Sequence, residues 1–547
     1  MASIFDSIRV TTPRRNRFKK DHEVKLSCKA GQLIPFVNQH VVANETVNCS
    51  TEALVRFAPL MAPIMHRFNL RTYYFFVPYR LLMEDVETFF TGGKSGTEFP
   101  PIVHLSNTGS EDSSDIQSFF GVGSLSDYLG IPTVNDISTT DAELIFQSGI
   151  FPDINLLPHL SYNLIMNEYF IDENVDEPLY FDINNTTLNL ADCTRNFKIF
   201  NKRWPKDYFT SALPWTQRGE EVKLPMDPQN VVLDKPSLAI KHQKLYDRVS
   251  GLSSDLSHES LSQGFESVGF DSRDGLTGNS LDIDPNGTLK TDGSTSITIN
   301  KLRTAIKMQE ALELTARCGY RFKEYLIGRF GVCPPDSRLQ RPEFLGGGNT
   351  PVVISEVLQT SQSTEGADGS NQGNMAGHAV SVSSQHSFKY HALEPGIVLG
   401  ILCVFPTATY QQGLNKFWTK KDRFDFYDPL FAHLGEQEVL STELDFWHTL
   451  NTYQDVSMLF GYQSRFAEYK TIQSSVHGAF RDSLQFWHAG RIFDNAPALN
   501  SDFLKIDSSD FKQIFNVNDQ DVENIYLHLY VSYESKSPMP KFGTPYI

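Results

Sequence analysis

The run GIVLGILCVFP, residues 396–406, constrains this chain more than any other stretch. Ile397–Phe405 carries no charged residue, and Pro406 closes it. A surface strand alternates and a surface helix buries one stripe. A short continuous apolar run therefore reads as a strand buried on both faces. It falls far short of the ~20 residues that span a bilayer. Other β-like text is patterned differently. In NIYLHLYVSYESK, residues 524–536, Ile525, Leu527, Leu529 and Val531 point one way and Tyr526, His528 and Tyr530 the other, as in a half-buried strand. Between Leu26 and Tyr79, LIPFVNQHVVANETVNC and RFNLRTYYFFVPYRLL mix alternation with dense apolar runs. Pro35, Pro59, Pro63 and Pro78 break them, and proline is confined to strand ends, edges and bulges. The 40 Phe and 21 Tyr among 547 residues lean the same way, because aromatic side chains suit pleated, half-buried surfaces.

One stretch reads as helix. In residues 301–331, Leu302, Ala305, Ile306, Gln309, Leu312, Ala316 and Tyr320 recur at spacings of three and four. Asn300 or Thr298 supplies an N-cap, and Gly319 is placed to divide the helix in two. Residues 92–153 are rich in Ser, Asp, Thr and Gly and read as connecting structure. Residues 251–300 hold ten Ser, seven Gly and eight acidic residues against two basic ones, a composition that marks an exposed insertion. Long strands separated by such insertions suit an all-β sandwich. A jelly roll tolerates this, since its loops leave the ends of the sandwich and lengthen without disturbing the core.

Motifs that would carry chemistry fail on inspection. TGGKSGTE, residues 91–98, resembles a phosphate-binding loop, but Thr88 stands where that motif needs its first glycine. DIDPNG opens like a calcium loop with Asp282, Asp284 and Asn286, yet Gly293 occupies the twelfth position, where a bidentate Glu belongs. His386 and His391 are five apart in β-like text and so face opposite ways. His488, beside Trp487, reads as a packed histidine. The six cysteines include no C-x-x-C pair, which removes zinc and thioredoxin-like readings and suits a reducing compartment. No apolar segment follows the charged N-terminal stretch, so no secretion signal is expected. Spacing singles out no catalytic, cofactor-binding or metal-ligating set.

Charge is unevenly spread. The chain carries a formal −17, yet its first twenty residues hold Arg9, Arg14, Arg15, Arg17, Lys19 and Lys20 against Asp6 alone. Phe18 lies among these cations. Cations neutralise phosphates, and an aromatic ring offers a stacking face to an unpaired base. The same arm would equally suit docking by salt bridges on a neighbouring acidic subunit.

FGVCPPDSRLQRPEFLGGGNTPVVISEVLQTSQS, residues 330–363, changes the reading. It resembles the major capsid protein of the Microviridae, small single-stranded DNA phages, and their gokushovirus-like branch in particular. The resemblance recurs in order at LVRFAPLMAPIMHRFNLRTYYFFVPYRLL, SLSDYLGIP, DYFTSALPWTQRG, GYQSRFAEYKTIQSSVHGAFR and PMPKFGTPYI. It implies a mainly β fold: an eight-stranded antiparallel viral jelly roll with long loop insertions and a few helices. Residues 1–23 would form a basic arm, 24–227 and 301–547 the core, and 228–300 an exposed insertion, protruding at the three-fold axes and serving host attachment. The protein would self-assemble into a T=1 shell around a circular single-stranded DNA genome. Its partners would be itself, other virion and scaffolding proteins and a host cell-surface receptor, with assembly in the bacterial host cytoplasm, no membrane insertion, no cofactor and no catalysis. The candidate DNA contacts are Arg9, Arg14, Arg15, Arg17, Phe18, Lys19 and Lys20. The rival reading is a jelly-roll lectin or carbohydrate-active enzyme. Within the resembling block, Gly346–Gly348 are expected just ahead of a strand, as a backbone passage that forbids side chains, with Arg341 and Glu343 as a structural pair.

Overall fold

The computed structural model describes residues 14–106, 113–138, 152–179, 183–220, 299–358, 375–382, 386–515 and 523–542, with shorter pieces between 141 and 145 and between 222 and 291. The described residues divide into two compact units, one drawn from residues 1–216 and 316–547 and one from 217–315.

The main strands of the first unit are β1 (Asn16–Lys19), β2 (His22–Cys28), β3 (Ile34–Val41), β4 (Thr46–Phe57), β5 (Phe68–Pro78), β6 (Glu343–Val352), β7 (Ile354–Leu358), β8 (Met375–Val382), β9 (His386–His391), β10 (Gly396–Pro406), β11 (Glu436–Leu440), β12 (Leu459–Ser464) and β13 (Ile525–Ser537). They build two principal antiparallel sheets. In the first, β13 lies between β4 on one side and β1 and β2 on the other. The far edge of β4 takes β8 and β9, and β8 pairs with β7. The second sheet has the order β6-β5-β10-β3. A smaller ribbon pairs β11 with β12.

The alternation read in the sequence fixes which face of β13 is buried. Ile525, Leu527, Leu529 and Val531 are buried, while Tyr526 and Tyr530 are exposed. Val47, Cys49, Ala53, Val55 and Phe57 do the same for β4. These faces stack on the second sheet. Tyr74 from β5 packs on Phe388 with ring centroids 4.7 Å apart, Phe76 meets Tyr390 at 4.9 Å, and Phe57 meets Phe68 at 5.2 Å. The Tyr74 hydroxyl donates to Thr51 Oγ1 at 2.7 Å, which satisfies a phenol that would otherwise be stranded in the core.

Strand β10 is buried along its whole length, as its unbroken apolar run requires. One face meets the first sheet. On the other side of the second sheet lie the helix Leu157–Ile165 and the turn after it. Tyr162 donates to the Leu33 carbonyl at 2.8 Å, Phe170 packs edge-on against Tyr73 at 5.1 Å, and Tyr169 meets Phe75 at 4.8 Å. A second, smaller apolar cluster gathers Tyr208, Phe209, Tyr410, Val439, Leu444, Phe460 and Phe503 around the β11–β12 ribbon.

Helices run from Ile299 to Cys318 and from Phe322 to Phe330, parted as expected at Gly319 with φ +98°, but Asn300 lies inside the first helix and not at its N-cap, and Thr298 is outside the described residues. The glycine triplet is placed differently from expectation. It lies inside β6, opposite Tyr74, Tyr73 and Thr72 of β5, not ahead of a strand. A bulge follows Phe344, and Gly346 takes φ +137° there. The proline that suggested a strand start, Pro351, sits within β6, which is tolerable because β6 is an edge strand. Arg341 and Glu343 do not pair with each other. Arg341 lies 3.3 Å from Glu168 and covers the Tyr169 ring, while Glu343 accepts a hydrogen bond from Tyr390 at 3.1 Å.

In the second unit, Val231–Leu233 pairs with Leu289–Thr291, and Lys244–Asp247 lies between Ser253–Asp255 and Leu281–Asp282. Apart from 299 and 300, which begin the long helix, the remaining positions of the expected 228–300 insertion, including Asp284 and Asn286, are outside the described residues.

Candidate nucleic-acid and assembly surfaces

The cations singled out in the sequence are divided between two roles. Arg9 lies outside the described residues, and Arg14 is exposed just before β1. Register on β13 sets Arg17 opposite Lys536 and Lys19 opposite Glu534. Alternation then turns Arg17 and Lys19 outward and leaves Phe18 half-buried. Arg17 makes an ion pair with Glu534. Lys20 approaches the buried Glu45 carboxylate at 3.7 Å and lies over the Tyr533 ring at 5.5 Å. Arg15 donates to Thr46 Oγ1 at 2.6 Å and to the Lys536 carbonyl at 3.1 Å. The acidic partners of Arg17 and Lys20 thus belong to this same chain. Lys19, 3.9 Å from Asp21, keeps a side chain 79% exposed.

These residues adjoin a broader surface. The outer face of the first sheet presents Lys25, Arg56, Lys389 and Lys536 together with exposed Tyr526 and Tyr530. Glu23 and Glu52 flank Tyr530 in register. Cations beside flat aromatic faces are the elements that single-stranded nucleic acid uses, through phosphate neutralisation and base stacking.

A cleft of about 670 Å³ opens elsewhere in the first unit, walled by Tyr208, Phe209 and Tyr410 and rimmed by Lys416, Trp418, His477 and Arg481. Tyr208 donates to Glu443 at 3.0 Å, and burial pushes that carboxyl up despite Lys416 at 3.6 Å. Ser475 Oγ is 2.9 Å from His477 Nε2, a contact between two exposed residues two apart in the chain. Among the described residues no carboxylate hydrogen-bonds the other ring nitrogen, so the orienting third group of a hydrolytic triad is not assembled. The remaining histidines noted in the sequence are packed or separated. His386 is buried between Thr72 and Thr350 hydroxyls, each at 2.9 Å, and burial lowers its pKa. His391, at the other end of β9, is exposed. His488 is buried, with Nε2 at 2.8 Å from the Phe480 carbonyl and Nδ1 accepting from Gly490 N–H at 2.9 Å. Among the described residues no group of three or more His, Cys, Asp or Glu is placed to hold a metal ion, and no helix is long and apolar enough to cross a membrane.

A double-sheet body that sets cations beside exposed aromatic rings has the surface chemistry of a protein that works by contact. The chain belongs to the phage capsid protein (F protein) family, whose sequence profile matches residues 7–547. It is 32% identical over 544 residues to capsid protein VP1 of Bdellovibrio phage phiMH2K, covering 97% of this chain and 95% of that one. It is 31% identical over 603 residues to capsid protein VP1 of Chlamydia phage 1, covering 100% and 98%. Identity to capsid protein VP1 of Spiroplasma virus 4 is 27% over 556 residues, covering 97% and 95%. The chain is therefore a virion capsid protein and not an enzyme, and the lectin or carbohydrate-active reading falls away.

Sequence reasoning passed over one surface. NKFWTKKDRFDFYDPLFAHL, residues 415–434, is aromatic throughout but follows neither a two- nor a 3.6-residue period. Aromatics without a period have no single face to bury, which was the available signal.

Proposed function

We propose that this chain assembles into a T=1 icosahedral shell around a circular single-stranded DNA genome, with an eight-stranded viral jelly roll at the heart of its seven- and four-stranded sheets. The family match over residues 7–547 carries this reading, since it takes in residues of both compact units. Residues 228–300 form the exposed insertion, protrude at the three-fold axes and engage a host cell-surface receptor. Their Ser-, Gly- and Asp-rich composition supports that placement. Other virion and scaffolding proteins complete assembly in the bacterial host cytoplasm. Electron microscopy of purified particles tests the shell. Icosahedral particles with one copy of this chain per asymmetric unit are expected, and a protein that stays monomeric or dimeric under all assembly conditions would overturn it.

The basic arm, residues 1–23, contacts the genome. Arg17 and Lys20 are committed to acids of their own chain, so Arg14 and Lys19 have the most charge to offer phosphates, joined by Arg9, Arg15 and the half-buried ring of Phe18. Replacing Arg14 and Lys19 with Gln should lower the slope of log affinity for single-stranded DNA against log salt by about 1.4, at ~0.7 per neutralised phosphate. An unchanged slope with intact shells would return the arm to a purely docking role.

A further inference from the structure

We infer that residues 415–434 form a pre-built contact by which one copy of this chain binds a second copy in the shell. The inference rests on the shell reading for the existence of an assembly, and on the following geometry for the place of contact.

The segment is exposed yet braced from within. Lys420 is the anchor. Its side chain is only 4% exposed, its ammonium donates to Glu468 at 2.8 Å, and it lies over the rings of Tyr469 at 3.9 Å and Phe417 at 4.9 Å. The other Glu468 oxygen accepts from Gln437 at 2.7 Å, and Gln437 in turn accepts from Phe466 N–H at 2.8 Å. A buried ion pair with its lone pairs satisfied is costly to break and holds one geometry. Short caps fix the rest of the path. Asp425 accepts from the N–H groups of Lys421 and Asp422 at 2.8 and 2.9 Å, Asp428 accepts from Leu430 N–H at 2.9 Å, and Arg465 donates to the Phe424 carbonyl at 2.9 Å. Phe424 packs on Phe431 at 4.8 Å, and Tyr427 on Phe466 at 5.3 Å.

This bracing presents apolar groups to solvent. Trp418 is 80% and Leu430 81% exposed, and Phe424, Phe426, Tyr427 and Leu434 are each more than half exposed. Weighted by their exposures, the rings of Trp418, Phe424, Phe426 and Tyr427 offer roughly 370–610 Å² at ~150–250 Å² per aromatic side chain, and Leu430 and Leu434 add to it. That reaches the ~300–600 Å² of the largest patch on an ordinary monomer and supplies much of the ~800 Å² that each partner gives to a stable interface. Trp and Tyr held in place before binding lose little freedom on contact, which is the condition for an interface hot spot.

Charge selects the occupant. Two copies of a chain carrying −17 repel one another, so they meet best where charge is locally balanced. Here Lys421 and Arg423 stand among Asp422, Asp425 and Asp428, with Arg423 3.9 Å from Asp428. Lys416 and Lys420 are turned onto Glu443 and Glu468, so the remaining exposed charges carry no cationic excess and have little to offer a nucleic acid or an anionic lipid surface, whereas exposed aromatic side chains are what protein interfaces use.

The test uses the full chain under conditions in which the wild-type protein forms particles. Trp418→Ser/Leu430→Asp should keep the wild-type urea midpoint and circular dichroism while the yield of particles falls at least about tenfold. Wild-type particle yield from the variant would overturn the inference while leaving the shell reading intact. A wild-type protein that never forms particles would instead remove the shell reading. A photocrosslinking amino acid at position 430 keeps the test decisive if the double variant misfolds. In wild-type-like particles it should join two copies of this chain, and crosslinks only to another virion protein, to DNA, or to nothing would refute the assignment.

Discussion

Replacing Gly348 with alanine tests the packing of the two sheets at its tightest point. A Cβ at Gly348 would stand 2.0 Å from Cδ2 of His386, against the ~3.5–4.0 Å of ordinary carbon contact. The ring has nowhere easy to go, being 4% exposed and tied to Thr72 and Thr350. Overpacking of this kind costs ~1–3 kcal/mol, and losing the two hydrogen bonds adds ~1 kcal/mol each, so Gly348→Ala should destabilise by about 3–5 kcal/mol. His386→Ala alone removes the same bonds and leaves a cavity, for ~2–3 kcal/mol. In the double variant the new methyl enters the space the ring has left. The double cost should therefore stay near that of His386→Ala, giving a coupling of about 3–5 kcal/mol in favour of the pair, the whole cost of Gly348→Ala alone. Urea unfolding of unassembled subunits, followed by tryptophan fluorescence, reads the correct unit, because Trp204, Trp215, Trp418, Trp447 and Trp487 all lie in the first one. Gly435→Ala is the control. Its φ is +109° but no heavy atom lies within 4 Å of a new Cβ, so only backbone strain of ~1–2 kcal/mol is expected. Additive costs in the cycle, or a Gly348→Ala no worse than Gly435→Ala, would refute the reasoning.

Other expectations follow from buried ionisable groups. Burial, reinforced by the nearby Glu173 carboxylate, raises the Glu324 pKa to about 7. A raised acid binds its proton more tightly when folded, so stability from this group is full below the ordinary carboxylate pKa and is lost as pH rises towards 7. Glu324→Gln should remove that decline and stabilise the subunit by ~1–2 kcal/mol at pH 8, read from urea midpoints at pH 5 and 8; an unchanged pH slope would show that Glu324 is not the group responsible. Thiol labelling of native subunits should modify exposed Cys333 first. Cys28, Cys49, Cys193 and Cys403 are buried, and burial lifts the Cys49 and Cys403 thiols to about 12, so they should react only on unfolding. Rapid native labelling of any of these four would contradict their placement.

What the sequence revealed depended on whether a residue's environment is set locally. β10 was legible because a strand covered on both faces must be apolar at every position, and β13 because a strand covered on one face must alternate. The division of the helical stretch at Gly319 was legible because that position needs a conformation glycine adopts freely. β1 was not legible as a strand. NRFK has no apolar pattern of its own and is ordered by β13, with Arg17 paired to a carboxylate 517 positions away. The glycine triplet was recognised as a place that forbids side chains, but its position inside β6 is set by Thr72 and His386, which no local pattern announces. The 415–434 surface was missed for a related reason: composition counts an aromatic residue alike whether it is covered by its own chain or awaits another.

The place of β13 also sets a clock. This strand, Ile525–Ser537, is the last of the main strands to be synthesised, yet it lies between β4 on one side and β1 and β2 on the other. Until it arrives, β1 and β2 lack the partner that holds them in the first sheet, and β4 has one bare edge. A nascent or truncated chain can fold its second sheet, whose strands end at Pro406, but cannot close the first. Translation order thereby delays completion of the first sheet until residues 525–537 have been made. A chain broken off early carries an open sheet edge, the kind of surface that quality control removes before it can poison a growing lattice.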